Sequence, residues 1–277
     1  MEYLIGIDLG TSGTKTVLFD TEGNIVASAL VEYPMYQPHN GWAEQDPADW
    51  YAAMCQALRK LAGKGVDLKR VRAISFDGST HNAVLMDENM QPVRRTIMWT
   101  DQRSVRECAM LREQYADRIF KTAYQMPTPT WTLPQMMWLK NNEPEILKRT
   151  RHVLFVKDYV RFQVTGIAAT DYIEAQGTLF YDMPNQRWSA ELAELAGLEP
   201  SVLPELVKPT DLLGTVTARA AADMGIPAGT PVVCGTSDSA VEDYGAGAIE
   251  PGDCIVKLAT AGNVNVMTSE AHPYPTT

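Results

Sequence analysis

The most constraining stretch of the chain runs from Ile5 to Asp20 and reads IGIDLGTSGTKTVLFD. An apolar run ends on Asp8, a loop of Gly, Thr and Ser follows, and a second apolar run begins after Lys15. A Walker A loop needs Gly-Lys and then a helix, but here Thr14 precedes the lysine and a β-type run follows it. A dinucleotide-binding loop needs a further glycine and then a helix, and this stretch has neither. The pattern therefore predicts a β-hairpin whose tip presents N–H groups and hydroxyls.

Such a hairpin tip is a candidate nest for phosphate oxygens. Its donors are the loop N–H groups, the hydroxyls of Thr11 and Ser12, and the ammonium of Lys15. Asp8, at the end of the first strand, would hold Mg²⁺ through its water shell, because Mg²⁺ keeps several waters and takes one or two carboxylates beside phosphate. The alternative is an ordinary glycine-rich hairpin with a solvated aspartate, and the spacing alone does not separate the two.

Length and composition bound the remaining choices. The chain has 277 residues, 45% of them hydrophobic, which is enough for the core of one large domain or two ordinary ones. No apolar run approaches the roughly 20 residues that span a bilayer, and no secretory leader is expected. A net charge of −10 without a basic cluster argues against a sequence-independent grip on nucleic acid. The widely spaced cysteines predict reduced thiols and a cytoplasmic protein: Cys55, Cys108, Cys234 and Cys254.

Strand and helix patterns alternate along most of the chain, which favours an α/β fold. The helix with the clearest signals begins at Pro47 behind the cap residue Asp46 and stops at Gly63. The first three predicted strands form an antiparallel meander. Predicted strands cover residues 3–9, 15–19, 25–33, 71–76 and 152–156, and predicted helices cover 103–115, 134–141 and a segment after Lys157.

The end of the chain predicts where one domain finishes and another begins. The segment GTPVVCGTSDSAVEDYGAG reads as strand, polar turn and short helix, with Asp238 at the junction. The next segment, CIVKLATAGNVNVM, reads as strand, loop and strand, and its Thr260-Ala261-Gly262 repeats the pattern of Thr11-Ser12-Gly13. A hairpin that repeats the first one indicates the start of a second domain. We therefore predict a first domain over residues 1–250 and an incomplete second one over 251–277.

The motifs of the chain, taken together and in order, resemble those of the FGGY carbohydrate kinases. IGIDLGTSGTK is similar to the family's first phosphate motif, and GTSDSAVEDYGAG to the segment that carries its catalytic aspartate. Between them, GWAEQDPADWYAAM, THNAVLMD and MWTDQRS resemble the family's W-x-E-Q-D-P-x-x-W, M-H-G-x-x-x-x-D and W-x-D-x-R segments. EPEILKRTRHVLFVKDYVRFQVTG is similar to a further block. The resemblance covers nearly all of residues 1–270, and the joint occurrence is far more specific than any single motif.

The resemblance implies a fold and an activity. The expected fold is an actin/sugar-kinase-like (ribonuclease H-like) α/β domain with a mixed sheet, the first lobe of a two-lobe kinase. The expected activity is ATP- and Mg²⁺-dependent phosphorylation of a sugar hydroxyl, with xylulose as the first candidate and gluconate or another polyol as the alternative. Rival functions are a non-catalytic sugar-binding or regulatory fragment and an ATPase of the chaperone or actin type. Expected partners are the sugar and ATP, with a second copy of the chain as a further candidate, and neither nucleic acid nor a membrane.

The resemblance also implies roles for individual residues. Asp238 would be the general base that accepts the hydroxyl proton, its alternative being a helix N-cap. Each of three implied sugar contacts has an alternative. His81 could be a hydrogen-bonded core histidine, Trp99 could be a buried core tryptophan, and Arg103 could hold Asp101 in place without contacting the sugar. Asp171, Glu174 and Gln176 receive no role. The implied sugar contacts are Thr80, His81, Trp99, Asp101 and Arg103, and the implied phosphate contacts are Gly10, Thr11, Ser12, Gly13, Lys15 and Thr260.

The chain departs from the family pattern at informative places. The M-H-G of that pattern reads Thr80-His81-Asn82, which puts the identity of the sugar in doubt. At the second phosphate loop, G-T-S-G reads Ala259-Thr260-Ala261-Gly262, which keeps only the threonine and the last glycine. Family members are about twice as long and build the adenine pocket in their second half. We therefore expect little kinase activity from this chain alone. The hairpin over 254–267 should be poorly ordered, swapped onto a neighbouring copy, or laid along the sheet of the first domain.

Overall fold

The computed structural model describes residues 2–258 and 262–274. The candidate phosphate contact Thr260 lies outside the described residues. The strands are Tyr3–Leu9 (β1), Gly13–Asp20 (β2), Ile25–Glu32 (β3), Glu44–Gln45 (β4), Val71–Gly78 (β5), Ala83–Met86 (β6), Thr96–Ile97 (β7), His152–Phe155 (β8), Ala169–Asp171 (β9), Tyr181–Asp182 (β10), Arg187–Trp188 (β11), Glu205–Val207 (β12), Leu212–Thr215 (β13), Pro231–Val233 (β14), Thr236–Ser237 (β15), Cys254–Leu258 (β16) and Gly262–Val266 (β17).

Helices alternate with these strands, as the sequence predicts. No helix among the described residues combines the length and apolar character needed to cross a bilayer. The helices are Pro47–Gly63 (α1), Val105–Gln114 (α2), Ala116–Ala123 (α3), Thr132–Asn142 (α4), Pro144–Arg149 (α5), Val156–Thr165 (α6), Tyr172–Gln176 (α7), Ala190–Leu195 (α8), Ala218–Met224 (α9) and Asp238–Gly245 (α10), with short 3₁₀ turns at Leu68–Arg70 and Pro200–Val202.

A mixed seven-stranded sheet forms the centre of the molecule, in the order β13-β14-β5-β1-β2-β3, with β15 also paired to β5. Strands β1, β2 and β3 form the predicted antiparallel meander. Strand β5 runs parallel to β1, and both β14 and β15 run parallel to β5. The carboxyl ends of β1, β5 and β15 therefore meet at one edge of the sheet, which is where α/β folds place their ligands.

Burial follows the predicted periods. In β1, Ile5, Ile7 and Leu9 are buried while Leu4 is exposed, so one face of the strand meets the core. Helix α1 packs against β2, β3, α6 and α9 through its predicted apolar face, which includes Trp50, Met54, Leu58 and Leu61. The side chain of Asp46 caps this helix by accepting a hydrogen bond from the N–H of Ala48 at 3.0 Å. The predicted helix, its cap and its buried face are confirmed.

A second core lies outside the sheet. It collects apolar side chains from α2, α3, α4, α5, α8, β6 and β8, among them Leu111, Ile119, Leu133, Leu139 and Phe155. Most of its helices are short. The sequence patterns gave bounds for α2 and α4, whose observed ends lie within two residues of the predictions.

The last two strands stand apart from the main sheet. Strands β16 and β17 pair with each other in an antiparallel hairpin and with no other described strand, so the hairpin does not lie along the main sheet as one of the expected arrangements had it. Side-chain contacts between Lys257 and Glu242, and between Asn265 and Asp243, tie the hairpin to α10. Its apolar side chains remain in solvent, with Leu258 87% exposed and Val256 62% exposed. This hairpin therefore contributes little to the core of the lobe.

Candidate active site

Strand pairing brings a row of charged side chains to one edge of the sheet. Asp8 lies opposite Lys15 on β2 and opposite Asp77 on β5. Asp77 in turn lies opposite Thr236 on β15, and Asp238 follows directly at the start of α10. Asp8, Lys15, Asp77 and Asp238 line a cleft of about 270 Å³, which we call the phosphate cleft. Its full lining is Gly6, Asp8, Lys15, Val17, Phe19, Asp77, Asp238, Val241 and Glu242.

A glycine sets the position of Asp238 in this row. Gly235 separates β14 from β15 with a φ of +74°, and a Cβ there would lie 1.7 Å from the carbonyl oxygen of Phe76. Only glycine permits both this backbone conformation and this close approach. The bend lets the chain continue along β5, so that β15 ends beside Gly78 and delivers Asp238 to the cleft.

The two oxygens of Asp238 differ. Oδ1 accepts the backbone N–H of Ser239 at 2.7 Å, whereas no described residue donates to Oδ2. Ser237 occupies the N-cap of α10, and Asp238 is the first helical residue, so the alternative that Asp238 is the N-cap is wrong. One carboxylate oxygen therefore stays available to a ligand, as a general base requires. Burial raises the pKa of Asp238, while the hydrogen bonds from Ser239 lower it and the charge of Glu242 raises it.

Asp77 is the residue of the row that sequence reasoning missed. Burial, together with the charge of Asp8 and a hydrogen bond to its carboxylate, raises the pKa of Asp77 to about 8. Asp77 is thus the partner that keeps its proton at neutral pH and donates it to Asp8. Burial also raises the pKa of Asp8, although the hydrogen bond from Asp77 opposes that shift. The available signal was an aspartate directly after the predicted strand 71–76, although the pairing of that strand with β1 was not predicted.

The tip of the first hairpin, residues 10–13, has the donor geometry expected of a phosphate loop. The hydroxyl of Tyr33 donates to the carbonyl oxygen of Gly10, and the amide of Gln45 donates to that of Thr11 at 2.7 Å. The N–H of Tyr33 donates to the carbonyl oxygen of Ser12 at 3.3 Å. With these carbonyls engaged, the N–H groups of Thr11 and Ser12 donate to no described residue. The loop therefore presents donors and not acceptors to a ligand.

The metal prediction can be tested against the ligand geometry. Within residues 2–258 and 262–274, no group of three or more His, Cys, Asp or Glu side chains is arranged to hold a metal ion. A metal at Asp8 would thus need water or phosphate oxygens for its remaining ligands. Mg²⁺ binds in that manner, with few carboxylates and several waters, so the donor set fits Mg²⁺ carried by a nucleotide.

The predicted sugar contact His81 lies in the loop that follows β5, residues 78–82, which we call the sugar loop. His81 is only 7% exposed, and its φ of +53° is in the left-handed region. Its ring lies 4.8 Å from that of Trp131, and its Nδ1 is buried with no partner among the described residues. Burial lowers the pKa of His81 to about 4, so its ring is neutral at physiological pH. This nitrogen is therefore a buried polar atom that the described part of the chain leaves without a hydrogen bond.

Two residues join the sugar loop to the phosphate loop. Asn82, fully buried, donates to the carbonyl oxygens of Ser79 and Thr80 and accepts the N–H of Trp99 at 2.5 Å. Trp99 is 41% exposed, which excludes the alternative of a core tryptophan, and its Nε1 donates to Thr11 Oγ1 at 2.9 Å. The Asn82 that departs from the family pattern is thus a structural anchor.

Asp101 and Arg103 have a different arrangement from the predicted one. Asp101 is fully buried, and its oxygens accept hydrogen bonds from the backbone of Ala43 and from both the backbone and the guanidinium of Arg103. Arg103 also pairs with Glu44 at 2.8 Å and stacks 3.7 Å from the ring of Trp42. These contacts contradict a bidentate acceptor open to sugar hydroxyls. They agree with the alternative, in which Arg103 holds Asp101 in place.

Another cavity lies away from the predicted site. It measures about 670 Å³ beside α7 and β12 and is lined by Tyr172, Tyr181, Lys208 and others. It contains none of the predicted site residues, apart from the unassigned Gln176. The phosphate cleft, although smaller, is where Lys15 meets the carboxylates of Asp8, Asp77 and Asp238.

Comparison with known proteins supplies the family. The N-terminal domain of the FGGY family of carbohydrate kinases matches residues 3–245. The xylulose kinase of Bacillus subtilis (strain 168) is 35% identical over 263 residues, 95% of this chain and 53% of that protein. The gluconokinase of the same strain is 29% identical over 266 residues, 96% of this chain and 52% of that protein. The crystal structure of xylulose kinase from Rhodospirillum rubrum has a TM-score of 0.94 at 30% identity and covers 99% of this chain and 57% of its own.

These matches confirm the predicted fold class, an α/β lobe with a mixed sheet that corresponds to the first lobe of a two-lobe sugar kinase. The chain spans about half the length of the curated relatives it matches. Since the family's N-terminal domain matches most of the sequence and the motifs, sheet and cleft agree with it, the chain belongs to the FGGY family of carbohydrate kinases.

Proposed function

We propose that the protein containing this chain transfers a phosphoryl group from ATP to a hydroxyl of xylulose and releases xylulose 5-phosphate. The supporting observation is that Asp8, Lys15 and Asp238 line one cleft. The phosphate loop, residues 10–13, joins the strand that carries Asp8 to the strand that carries Lys15. The sugar loop leaves the sheet at the same edge, because β5 and β15 end side by side at Gly78 and Ser237. A nucleotide phosphate and a sugar hydroxyl can therefore approach the same carboxylate, as in-line transfer requires.

Each group at the cleft has a proposed task. The N–H groups of Thr11 and Ser12 and the ammonium of Lys15 hold phosphate oxygens. Asp8 would hold Mg²⁺, and the chemistry that the ion would supply there is neutralisation of charge on the phosphates. Asp238 Oδ2 accepts the proton of the attacking hydroxyl while the bond from the sugar oxygen to phosphorus forms and the bond to ADP breaks.

The sugar side is proposed from its contacts. His81 Nδ1 is the buried polar atom left for a hydroxyl, and the rings of Trp131 and Trp99 offer apolar faces of the kind that sugar rings contact. Gluconate is the second candidate, because a gluconokinase is among the relatives and the sugar loop departs from the family pattern. The four free cysteines, of which only Cys254 is exposed, support a cytoplasmic location.

A ligand panel tests the substrate. Xylulose, other ketopentoses, polyols and gluconate are added to this chain, and the melting temperature and the calorimetric affinity are measured. A ligand that binds only the folded chain stabilises it by about 2.7 kcal/mol at a hundredfold excess over its dissociation constant. We expect the largest shift with xylulose. A larger shift in melting temperature with gluconate would make gluconate the proposed substrate in place of xylulose. A shift only with a protein partner would support the regulatory alternative.

An activity assay tests the need for the second lobe. We expect the 277-residue chain to release little or no ADP with xylulose, and the full-length protein to be active. Closure of two lobes excludes water, so that the sugar and not the solvent receives the phosphoryl group. Equal activity of the short chain and the full-length protein would contradict the two-lobe assignment. Two statements from the sequence stay predictions: that the first domain ends at residue 250, and that the protein forms a homodimer.

A further inference from the structure

Glu174 lies on α7, outside the phosphate cleft, and the proposed reaction does not use it. Its side chain is buried, with 1% of the residue exposed, and its Oε1 accepts the backbone N–H of His81 at 2.5 Å. A buried carboxyl group that accepts the backbone N–H of His81 restrains the backbone conformation of the sugar loop at that residue. The sequence patterns gave this glutamate no role.

The backbone of His81 needs such support. Its φ of +53° is a conformation that non-glycine residues adopt at an energetic cost, and it persists only where the surroundings enforce it. Glu174 holds the N–H of His81 from one side, and Thr132 Oγ1 donates to its carbonyl oxygen from the other at 2.7 Å. Helix α7 also packs closely, since a Cβ on Gly177 would lie 3.1 Å from Thr80 Oγ1.

A chain of hydrogen bonds continues from Glu174 to the strand that precedes Asp238. The N–H of Glu174 donates to Asp171 Oδ1 at 3.1 Å. The same oxygen accepts the hydroxyl of Thr236 at 2.7 Å. Thr236 belongs to β15, two residues before Asp238. The sugar loop and the proposed base are therefore both attached to the start of α7.

Charge balance explains why Glu174 can sit there without its own cation. Lys157 pairs with Asp158 at 2.6 Å and with Asp171 at 2.7 Å, and Arg161 pairs with Asp158 at 2.8 Å, all fully buried. These cations and anions balance one another, so Glu174 is the extra acid. Burial raises the pKa of Glu174 to about 8, which leaves it mostly neutral at pH 7. Glutamine therefore has nearly the shape and charge of the native side chain.

We propose that Glu174 is a positioning residue that fixes the backbone of His81 in its ligand-binding conformation. Through Asp171 and Thr236, it also keeps the sugar loop aligned with the strand that carries the base. The structural claim concerns the His81 backbone, and its consequence for sugar affinity rests on the proposed function. The two can fail separately, so the experiment needs one measurement for each.

The variants are Glu174→Ala, Glu174→Gln and a matched control, Glu107→Ala. Glu107 is also a buried glutamate, 6% exposed, and accepts one hydrogen bond from Asn141 at 3.2 Å, but it lies on α2 in the second core. Amide hydrogen exchange at His81 and the amide resonances of Ser237 and Asp238 are measured by NMR on this chain. Xylulose affinity and the melting temperature without ligand are measured on the same samples.

For Glu174→Ala, we expect protection of the His81 amide to fall at least tenfold and the Ser237 and Asp238 resonances to shift. Xylulose should bind roughly tenfold or more weakly, as expected for a lost buried hydrogen bond. Glu174→Gln should stay within about threefold of the parent in both respects, and Glu107→Ala should change xylulose affinity less than about twofold even where its melting temperature falls equally.

Unchanged protection of His81 in Glu174→Ala would overturn the proposal. An equal loss of affinity in Glu174→Ala and Glu107→Ala would do the same, because general destabilisation would then explain the effect. If the parent chain binds neither xylulose nor gluconate, the proposed function fails, and the exchange data on His81 still decide whether Glu174 positions the loop.

Discussion

The phosphate cleft and the sugar loop lie at the same edge of one sheet but are built in opposite ways. The described lining of the cleft holds one lysine, Lys15, and four acidic side chains, those of Asp8, Asp77, Asp238 and Glu242, and no residue of the adjoining α10 is buried. In the sugar loop, the backbone of His81 is bonded at both its N–H and its carbonyl. The lining of the cleft thus has more negative than positive side chains until a cation binds or a carboxyl group is protonated. In the sugar loop, the backbone groups of His81 are already hydrogen-bonded within the protein.

This difference indicates which interactions depend on a ligand. Clustered carboxylates repel one another until a proton neutralises one of them or a metal ion binds among them. The stability of the cleft should therefore depend on pH and on Mg²⁺. A loop whose backbone groups are satisfied within the protein is preorganised and should respond mainly to substitution. The following tests sharpen or break this comparison.

The largest effect is expected at the base. In the full-length protein, Asp238→Asn should lower kcat by at least about a hundredfold, the usual size of a general-base contribution, and should leave xylulose affinity nearly unchanged. Asparagine keeps the shape of the side chain and its acceptor for the Ser239 N–H, so the start of α10 should remain folded. Steady-state kinetics and calorimetry give the two values. Wild-type turnover in this variant would remove Asp238 from the mechanism.

The metal assignment gives the next largest effect. Asp8→Ala in the full-length protein should raise the Mg²⁺ and ATP concentrations needed for half-maximal rate by roughly tenfold or more, since the carboxylate is assigned to the water shell of the ion. Sugar affinity should change little. Titrations of Mg²⁺ at fixed ATP, and of xylulose at saturating Mg²⁺, separate the two. Loss of xylulose binding with normal nucleotide use would place Asp8 on the sugar side.

Stability against pH tests the carboxylate row without any ligand. The pKa of Asp77 is about 8 in the folded chain and 3.8 as its ordinary value, so the folded state favours the protonated form. Stability from this group is complete below about pH 4 and is lost as pH rises through 8. Asp77→Asn removes that loss, so the variant should gain stability over the parent as the pH rises from about 4 to about 8.

Asp20 supplies a control of opposite sign for this measurement. Hydrogen bonds from Asn24 lower the pKa of Asp20, so its contribution is present at neutral pH and is lost as pH falls through the folded pKa. Asp20→Asn should therefore be less stable than the parent at neutral pH and approach it in acid. Urea unfolding from pH 4 to pH 8 in the absence of Mg²⁺ measures both variants. A flat difference for Asp77→Asn would show that Asp77 and Asp8 do not share a proton.

The smallest effect is expected where the two regions touch. Trp99→Phe keeps an aromatic face but removes the hydrogen bond from Nε1 to Thr11 Oγ1. One hydrogen bond of this kind contributes about 0.5–1.5 kcal/mol, so kcat/KM for ATP should fall by a few fold. Kinetics of the full-length protein with varied ATP and with varied xylulose check this. A change confined to xylulose would show that Trp99 serves the sugar loop alone.

Local patterns in the sequence predicted the elements that carry the phosphate loop. The alternation of Ile5, Ile7 and Leu9 and the loop after Asp8 identified the first hairpin, and Asp46 with Pro47 identified the start of α1. These predictions are confirmed because neighbours in sequence decide such features. The short helices around the second core were harder, since their apolar faces are defined by packing against one another.

The sequence by itself determined the family, the first hairpin, the junction at Asp238 and the presence of His81 in a loop after β5. Only the tertiary structure decided which residues share the cleft, because parallel pairing of β1, β5 and β15 joins segments that lie far apart along the chain. That pairing placed Asp77 beside Asp8. Tertiary packing likewise buried Asp101, which accepts hydrogen bonds from Arg103. It also placed Glu174 where its carboxyl group accepts the backbone N–H of His81. Burial and charge balance act through space, so residue type and spacing could not reveal them.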